Sequence, residues 1–324
     1  MGCVEKVKVE NISNSIVDKS ILLCFASFEN RCKTLSQYCD ITKIKKTYIF
    51  RNSCSSSLSS AISINLDFLK SKYINNVEKQ FKLSSSVSIN DALHQTVKEI
   101  IDEDFKDLII DITTFTHEAL LILIRILNSY RDFFSSIKLI YNSADSYSAW
   151  LSKGCKEVRN VIGYPGIFNP AKNYRLIILT GYELERATKL VELMEPDSLS
   201  LGHSVDAVSD KNLKVSNTFK KKFENWIYST NSIDCTTFDF SCYDLATTIN
   251  TLETIVNEKT KSENLIIVPL NTKLSTVSVA LVALAHKNIQ VVYPIPEIYN
   301  SDYSKPGDYF AIIELKNIPY FNKI

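Results

Sequence analysis

The sequence predicts an α/β protein in which two similar halves each form a parallel sheet wrapped by helices. Two observations lead to this fold class. Short apolar runs alternate with helical stretches along the chain, which is the order that builds a parallel sheet covered by helices. The pattern of the first half then recurs in the second half at a nearly constant spacing.

The composition is typical of a globular protein, and 324 residues are enough for two domains. With 37 basic and 36 acidic residues the chain is almost neutral, so no overall charge indicates binding to nucleic acid or to an anionic membrane. No stretch reaches the ~18 consecutive apolar residues of a membrane span. The eight cysteines show neither CxxC pairs nor zinc spacing, so we expect a reducing, cytoplasmic environment.

The first half contains predicted strands at short segments that are entirely or mostly apolar. These runs lie at residues 21–26, 47–51, 108–110 and 137–141. Helices are predicted up to residue 38, over 67–79, over 90–103 with Asn90 as the N-cap, and after 116. Residues 1–20 are predicted to be a polar lead-in, and the Ser-rich segment 53–60 is either a loop or a helix start.

The second half repeats this plan. Glu29 and Glu183 lie 154 positions apart, and each follows a predicted strand and precedes an arginine. Two apolar strands recur in the same way: residues 108–110 match 265–267, 157 positions on, and residues 137–141 match 289–293, 152 positions on. An internal duplication therefore predicts two Rossmann-like halves, residues 1–160 and 161–324. The alternative is that any two domains of this class share strand–helix alternation without a common origin.

Polar side chains follow the predicted strands, at the edge of a parallel sheet where ligands usually bind. Hydroxyls and a lysine at the start of a helix suit a phosphate or another anion, and arginines add paired hydrogen bonds to such a group. The predicted ligand contacts are Ser27, Arg31, Thr113, Thr114, Thr116 and Tyr141 in the first half, and Glu183, Arg186, Asn271, Thr272, Lys273, Glu297 and Tyr299 in the second. The alternatives are that the threonines cap helices and that the Glu–Arg pairs are structural.

Two carboxylates are candidates for chemistry. Asp111 ends an apolar strand, where a carboxylate is costly unless it is paired, hydrogen-bonded or exposed in a cleft. Its counterpart in the second half is Val268, so the predicted site is asymmetric. Glu29 is the second candidate, as an acid, base or nucleophile. No cofactor and no metal are predicted, because the sequence has no GxGxxG or Walker A motif and its four histidines have no metal-binding spacing.

The strand-end segments 111–116 and 269–273 resemble those of the CARF and SAVED families, two-lobed Rossmann-like sensors of prokaryotic antiviral immunity. Those families place a hydroxyl- and lysine-containing turn after a central apolar strand and bind cyclic oligonucleotides across a pseudo-dyad. The chain departs from the CARF pattern because the turn lacks a Gly-Gly step. The resemblance implies a sensor that signals through a partner protein.

Three hypotheses follow for the function. The first is a subunit that binds or senses a nucleotide or phosphorylated small ligand, in a bacterial antiphage defence system. The second is an enzyme that hydrolyses a nucleotide or nucleoside sugar, or transfers its glycosyl group, with Asp111 or Glu29 as the reactive carboxylate. The third is a scaffold that binds only protein. A nucleotide-like ligand and a protein partner or a homo-oligomer are the expected partners.

Overall fold

The structure is a computed structural model that describes residues 4–53, 57–207, 210–230 and 233–322. The Ser-rich segment predicted at 53–60 therefore lies partly outside the described residues, as do Cys3 and Cys54. The chain divides into two α/β units. The first comprises residues up to Ser146 together with Ser304–Asn322, and the second comprises Tyr147–Tyr303.

The elements from the N-terminus to the end of β6 are, in chain order, β1 (Glu5–Lys8), β2 (Ser20–Ala26), α1 (Thr34–Tyr38), β3 (Ile44–Asn52), α2 (Ser59–Lys72), β4 (Asn76–Phe81), α3 (Ser86–Asp102), β5 (Asp107–Asp111), α4 (His117–Ser129) and β6 (Ser136–Tyr147). A short 3₁₀ helix, Asn30–Lys33, precedes α1. The order agrees with the alternation predicted from sequence.

The remaining elements are β7 (Ser152–Lys153), β8 (Glu157–Pro165), β9 (Tyr174–Leu179), α5 (Leu184–Met194), β10 (Ser198–Ser204), α6 (Asp210–Thr230), β11 (Asp234–Phe240), α7 (Leu245–Lys259), β12 (Asn264–Pro269), α8 (Lys273–Ala285), β13 (Ile289–Ile295), β14 (Ile298–Tyr299), β15 (Ser304–Glu314) and α9 (Pro319–Asn322). No helix among the described residues is long and apolar enough to cross a membrane.

Each unit is built on one sheet with a parallel centre. The first sheet has the order β1-β15-β6-β5-β2-β3-β4, and the second has the order β11-β10-β9-β12-β13-β8. Strands β6, β5, β2, β3 and β4 are parallel, as are β13, β12, β9, β10 and β11. All seven residues of β2 and all six of β12 are buried, as expected for strands covered on both faces. The fold class is therefore α/β with two parallel-dominated sheets.

The two sheets share one strand order. Reading β15-β6-β5-β2-β3-β4 beside β8-β13-β12-β9-β10-β11 pairs each strand with its counterpart. The first strands of these two orders, β15 and β8, differ in where they lie along the chain. Strand β8, which follows β6 in the chain, pairs antiparallel with β13, whereas β15, which follows β13, lies beside β6 in the first sheet.

This exchange changes the boundary expected from the sequence. The chain leaves the first unit after residue 146 rather than 160, and residues 304–322 belong to the first unit. The reason is pairing: β8 completes the sheet of β13, and Phe310 and Ile312 of β15 join the first unit's core. A strand's alternating pattern predicts that it pairs but not with which sheet.

Three local predictions differ from the structure. Helix α2 begins at Ser59 and ends at Lys72, whereas a helix was predicted over residues 67–79. Part of that predicted helix belongs instead to the strand β4. Helix α3 begins four residues earlier than predicted, because Ser85 rather than Asn90 is the N-cap and accepts a hydrogen bond from the Ser88 amide. The predicted polar lead-in contains β1.

Candidate functional site

Each sheet has one point at which the strand order reverses, and ligands of open α/β sheets bind in the crevice there. In the first sheet the reversal lies between β2 and β5, and in the second between β9 and β12. The loops that follow these strands hold most of the predicted site residues.

In the first unit a buried ion pair occupies the loop after β2. The Arg31 side chain is 4% exposed and donates from Nε and Nη2 to Glu29 Oε2, at 3.2 and 2.8 Å. Arg31 Nη1 also donates to the backbone oxygen of Asn142 in β6, at 3.0 Å. Ser304, the first residue of β15, donates from Oγ to the same Glu29 oxygen at 2.7 Å. Glu29 is therefore held by three donors.

Ser27 begins this loop and shapes it. Its hydroxyl accepts a weak hydrogen bond from the Glu29 amide at 3.4 Å, and its backbone oxygen accepts one from Asn65 Nδ2 at 2.8 Å. Asn65 lies on α2, so the helix is bonded directly to the strand-end loop. The residue itself is 5% exposed. Ser27 thus orders the loop in which the Glu29–Arg31 pair lies.

Asp111 is 3% exposed at the end of β5. Its carboxylate accepts a hydrogen bond from the Thr113 amide at 3.0 Å. Burial raises the pKa of Asp111 from 3.8 to about 6, although hydrogen bonds from Thr113 and the charge of Arg31 act in the opposite direction. The carboxylate that the sequence singled out is therefore buried and bonded within its own turn.

The three threonines of the central turn all form bonds inside the first unit. Thr113 Oγ1 accepts from the Asn142 amide at 2.9 Å, and Thr114 Oγ1 donates to the backbone oxygen of Phe25 at 2.7 Å. Thr116 is the N-cap of α4 and accepts from the Ala119 amide at 3.2 Å. The hydroxyls of Thr113 and Thr114 therefore join the turn after β5 to the middle of β6 and to β2, and that of Thr116 caps α4.

Tyr141 differs from the other predicted contacts of the first unit because it lies inside a strand. It belongs to the middle of β6 and is 3% exposed. Its neighbour Asn142 forms bonds to Arg31 and Thr113. Asn142 is a site residue that the sequence reading missed.

The loop after β9 in the second unit contains a similar buried pair. Arg186 Nη2 lies 3.0 Å from Glu183 Oε2, and their side chains are 2% and 8% exposed. Ser152 of β7 donates to the other oxygen of Glu183 and accepts from Arg186 Nη1 at 3.1 Å. The guanidinium also lies 5.2 Å from the ring centre of Tyr293. Both units thus contain a buried glutamate and arginine that are bonded to a serine. The serine comes from the later strand β15 in the first unit and from the earlier strand β7 in the second.

The electrostatics of Arg186 reflect this arrangement. Burial acts to lower the pKa of Arg186, but the attraction of Glu183 and the nearby tyrosines 293, 299 and 303 brings it above its usual value. Burial also raises the pKa of Tyr299, and the proximity of Tyr293 acts in the same direction. The arginine is therefore a permanent buried charge that is balanced by Glu183.

The turn after β12 is the second side of this crevice. Asn271 Nδ2 donates to the backbone oxygen of Thr180 at 2.6 Å, which joins the turn to the end of β9. Thr272 is the N-cap of α8: its Oγ1 accepts from the Ser275 amide at 3.2 Å and donates to the Cys242 oxygen at 2.9 Å. Lys273 is the first residue of α8 and is partly exposed.

Glycine at position 181 allows the two loops to approach closely. A Cβ at Gly181 would lie 2.2 Å from the backbone oxygen of Leu270, a distance that no real Cβ adopts. Any side chain at this position would separate the loops. The geometry of the second crevice thus depends on Gly181 and on the Asn271 hydrogen bond together.

Glu297 and Tyr299 lie on the second unit's two-stranded ribbon, in which β14 pairs with β7. Glu297 is exposed, and a Cβ at Gly154 would lie 2.6 Å from its carboxylate. Tyr299 pairs with Ser152, the serine that contacts Glu183 and Arg186. Ser152 and Ser304 were not predicted.

The described residues contain no group of three or more His, Cys, Asp or Glu side chains that could hold a metal ion.

Comparisons with known proteins give a fold likeness and no family. No family model matches the sequence, and no curated protein matches it either. Among solved structures, the chain is similar to a type III CRISPR defence DNA nuclease activated by cyclic oligoadenylate, with a TM-score of 0.55 and 8% identity over 85% of this chain. The chain spans 65% of that nuclease's length. At this identity the likeness concerns the fold alone.

Two further structures match at lower similarity. One is the cytoplasmic domain of a prokaryotic cation chloride cotransporter, with 11% identity over 88% of this chain and 98% of that chain, and a TM-score of 0.28. The other is a putative universal stress protein from Pseudomonas aeruginosa UCBPP-PA14, with 10% identity over 86% of this chain and 94% of that chain, and a TM-score of 0.27. These scores are too low to support an argument.

Proposed function

We propose that the protein binds a nucleotide or another phosphorylated small molecule at the strand ends and serves as a sensing subunit. The observation that carries this proposal is the turn Asn271-Thr272-Lys273 at the reversal point of the second sheet. It places a lysine and the first amides of a 13-residue helix beside the loop after β9.

The chemistry of this turn suits an anion. The first turn of a helix carries backbone N–H groups without intrahelical partners and a partial positive charge, and both favour phosphate. Lys273 adds a full charge at the same end of α8. Because Thr272 caps the helix and Asn271 is bonded to Thr180, the turn is held in place before a ligand arrives.

The buried arginines have a supporting role in this proposal. Arg31 and Arg186 are held by Glu29 and Glu183, so each acts on a ligand through the position of its loop. The hydroxyls of Thr113, Thr114 and Thr116 likewise order the first crevice, which also contains the negative charge of Asp111. We therefore expect the strongest anion contacts in the second unit.

The burial and the hydrogen bonds of the two candidate carboxylates favour sensing over turnover. Glu29 accepts three hydrogen bonds, and Asp111 is 3% exposed and bonded to its own turn. A general acid or nucleophile must reach its substrate at hydrogen-bond distance. The enzyme hypothesis retains one supporting observation, the raised pKa of Asp111, which is common among functional carboxylates.

The biological setting is proposed from the fold likeness. A nuclease with this fold is activated by cyclic oligoadenylate. Cyclic oligoadenylates are therefore the first ligands to test, and a prokaryotic antiviral system in the cytoplasm is the proposed context. A protein partner or a second copy of the chain would receive the signal.

The test is a thermal-shift screen of AMP, ATP and cyclic tri-, tetra- and hexa-adenylate, with native mass spectrometry of each mixture. A ligand at ~100 times its Kd stabilises the folded state by about 2.7 kcal/mol and raises Tm. For the compound that binds, Lys273→Ala should weaken affinity by about tenfold or more, because a hydrogen bond to a charged group is lost. Lys287→Ala, an exposed lysine beyond the other end of α8, is the matched control.

The outcomes separate the hypotheses. A compound that raises Tm, is recovered intact and loses affinity in Lys273→Ala supports the sensor. A compound that is recovered altered, with turnover lost in Asp111→Asn, replaces the sensor with the enzyme. If no compound raises Tm, or if Lys273→Ala and Lys287→Ala bind equally well, the proposed site is wrong.

A further inference from the structure

Helix α6 of the second unit has an outer face that carries positive charge and no carboxylate. Over residues 213–227 the helix has four lysines and one glutamate. Side chains three or four residues apart share one face of a helix. With that spacing, one side of α6 exposes six polar residues, which we call the lysine face: Lys214, Asn217, Thr218, Lys221, Lys222 and Asn225. Because the whole chain is almost neutral, this is a local excess of charge.

The opposite side of α6 packs within the second unit. Phe223 and Ile227 are buried, and Phe219 lines the small cavity beside the loop after β9. The glutamate of this stretch also lies towards the sheet, since Glu224 Oε1 is 3.8 Å from Nε2 of the buried His203 in β10. The acid of α6 is therefore directed away from the lysine face.

The three lysines of this face have no acidic neighbour to neutralise them. All three are exposed, and none forms an ion pair with a residue that the structure describes. On α5, by contrast, Lys189 pairs with Glu192 at 3.1 Å. A solvated helix face gains stability when acids stand three or four residues from its lysines. On α6 those positions hold the uncharged donors Asn217, Thr218 and Asn225.

This set of side chains suits the phosphates of a nucleic acid. Lysine, threonine and asparagine all donate hydrogen bonds to phosphate oxygens in protein–DNA complexes. Lys214 and Lys221 are two helical turns apart, about 10.5 Å along the axis. A duplex carries one phosphate charge per ~1.7 Å of its length, so both lysines can meet phosphates of the same molecule.

A membrane surface suits the face less well. In the described part of α6, Val215 is the one exposed apolar side chain, and it is 37% exposed. An amphipathic helix that binds a membrane needs an apolar side that enters the lipid. The apolar side of α6 is already buried against the second unit.

We propose that the lysine face of α6 binds the phosphate backbone of a nucleic acid without regard to base sequence. Such binding is separate from ligand binding at the Lys273 turn. Each lysine that neutralises one phosphate adds about 0.9 to the slope of log affinity against log salt, so the three lysines account for about 2.7 of that slope. Binding of this kind is weak at physiological salt, with a Kd of roughly 10⁻⁴–10⁻⁶ M.

The experiment is fluorescence anisotropy of a labelled DNA duplex titrated with the full chain between about 50 and 200 mM salt. Lys214→Gln, Lys221→Gln and Lys222→Gln are combined in one variant. We expect affinity at the lowest salt to fall about tenfold or more and the salt slope to fall by about 2.7, because three phosphate contacts are lost. Two duplexes of different sequence should lose affinity equally, since phosphates carry no sequence information.

Two further variants separate the lysine face from general charge and from folding. The matched control combines Lys156→Gln, Lys261→Gln and Lys287→Gln, which are exposed lysines of the second unit outside α6 and should leave the slope unchanged. Arginine at the three α6 positions keeps the charge and should keep the slope, which distinguishes lost contacts from lost folding.

Several outcomes would overturn the proposal. One is that the duplex does not bind, and another is that the control variant loses as much slope as the α6 variant. A third is that poly-glutamate or phosphatidylserine vesicles bind more tightly than the duplex and lose affinity in the α6 variant, which would assign the face to an acidic protein or to a membrane. The adenylate test on Lys273 uses other ligands, so either proposal can fail without the other.

Discussion

The buried carboxylate of Asp111 predicts an unusual pH dependence of stability in the first unit. In the unfolded chain this carboxyl titrates near 3.8, and in the folded protein burial raises its pKa to about 6. Between these pH values the folded state holds a proton that the unfolded state has lost. Stability from this group is therefore greatest below pH 4 and falls as the pH rises towards 6.

The magnitude follows from the separation of the two pKa values. At ~1.4 kcal/mol per pH unit, the free energy of unfolding falls by about 3 kcal/mol between pH 4 and pH 7. Asp111→Asn removes the titration but keeps an oxygen that accepts the Thr113 amide. The variant should therefore gain stability relative to the unsubstituted protein as the pH rises, by about the same 3 kcal/mol.

The assay is urea unfolding of both proteins at several pH values between 4 and 7. Far-UV circular dichroism follows both units, whereas the two tryptophans, Trp150 and Trp226, belong to the second unit. A transition seen by circular dichroism and not by tryptophan fluorescence is that of the first unit. Asp107→Asn, the same change at the partly exposed start of β5, is the control. A stability difference for Asp111→Asn that stays constant from pH 4 to 7 would refute the reasoning.

Three further predictions concern other buried or capping residues of the two units. Arg186→Met should lower the free energy of unfolding of the second unit by about 3–5 kcal/mol, because Glu183 is left buried and unpaired, and adding Glu183→Gln should recover most of the loss in tryptophan-monitored unfolding. Thr116→Ala and Thr272→Ala should each cost about 1 kcal/mol in urea unfolding through loss of an N-cap, with the larger loss at Thr272, which also donates to a backbone oxygen. Burial lowers the pKa of His203 to about 4, so the second unit should lose about 3 kcal/mol as the pH falls from 6.5 to 4, and His203→Gln should abolish this dependence.

The elements with a strong local signal could be predicted from the sequence. The apolar runs of β2, β5 and β12 are buried on both faces, which leaves no polar alternation to confuse their interpretation. The loops after these strands were predicted to hold the site, because the ends of such strands are where a parallel sheet binds ligands. The role of each side chain could not be predicted, since a threonine before a helix suits a cap and an anion equally well.

Long-range pairing was the part that the sequence did not reveal. The antiparallel pairing of β8 with β13 and the return of β15 to the first sheet depend on contacts between distant segments. The serines beside the two Glu–Arg pairs were missed for the same reason. Ser152 and Ser304 have no distinctive sequence context, and only the paths of their strands bring them to Glu183 and Glu29.

A comparison of matched positions bears on the proposal that the ligand binds in the second crevice. In the first unit Asn65 of α2 donates to the Ser27 oxygen at 2.8 Å and closes α2 onto the loop after β2. The residue 154 positions later is Phe219 of α6, which offers no hydrogen bond. Its ring lies 6.1 Å from that of Tyr182 and lines a small cavity that also contacts Thr180.

This difference changes how the two loops can respond to a ligand. Both loops are held by a Glu–Arg pair and a serine, but in the first unit Asn65 also bonds the loop to α2, which leaves less of it for a ligand to order. In the second unit the corresponding contact is apolar and leaves a cavity, while Lys273 supplies a positive charge beside the loop. A ligand changes an equilibrium only through different affinities for two states. The less constrained loop, with the cation beside it, has the greater scope for such a difference.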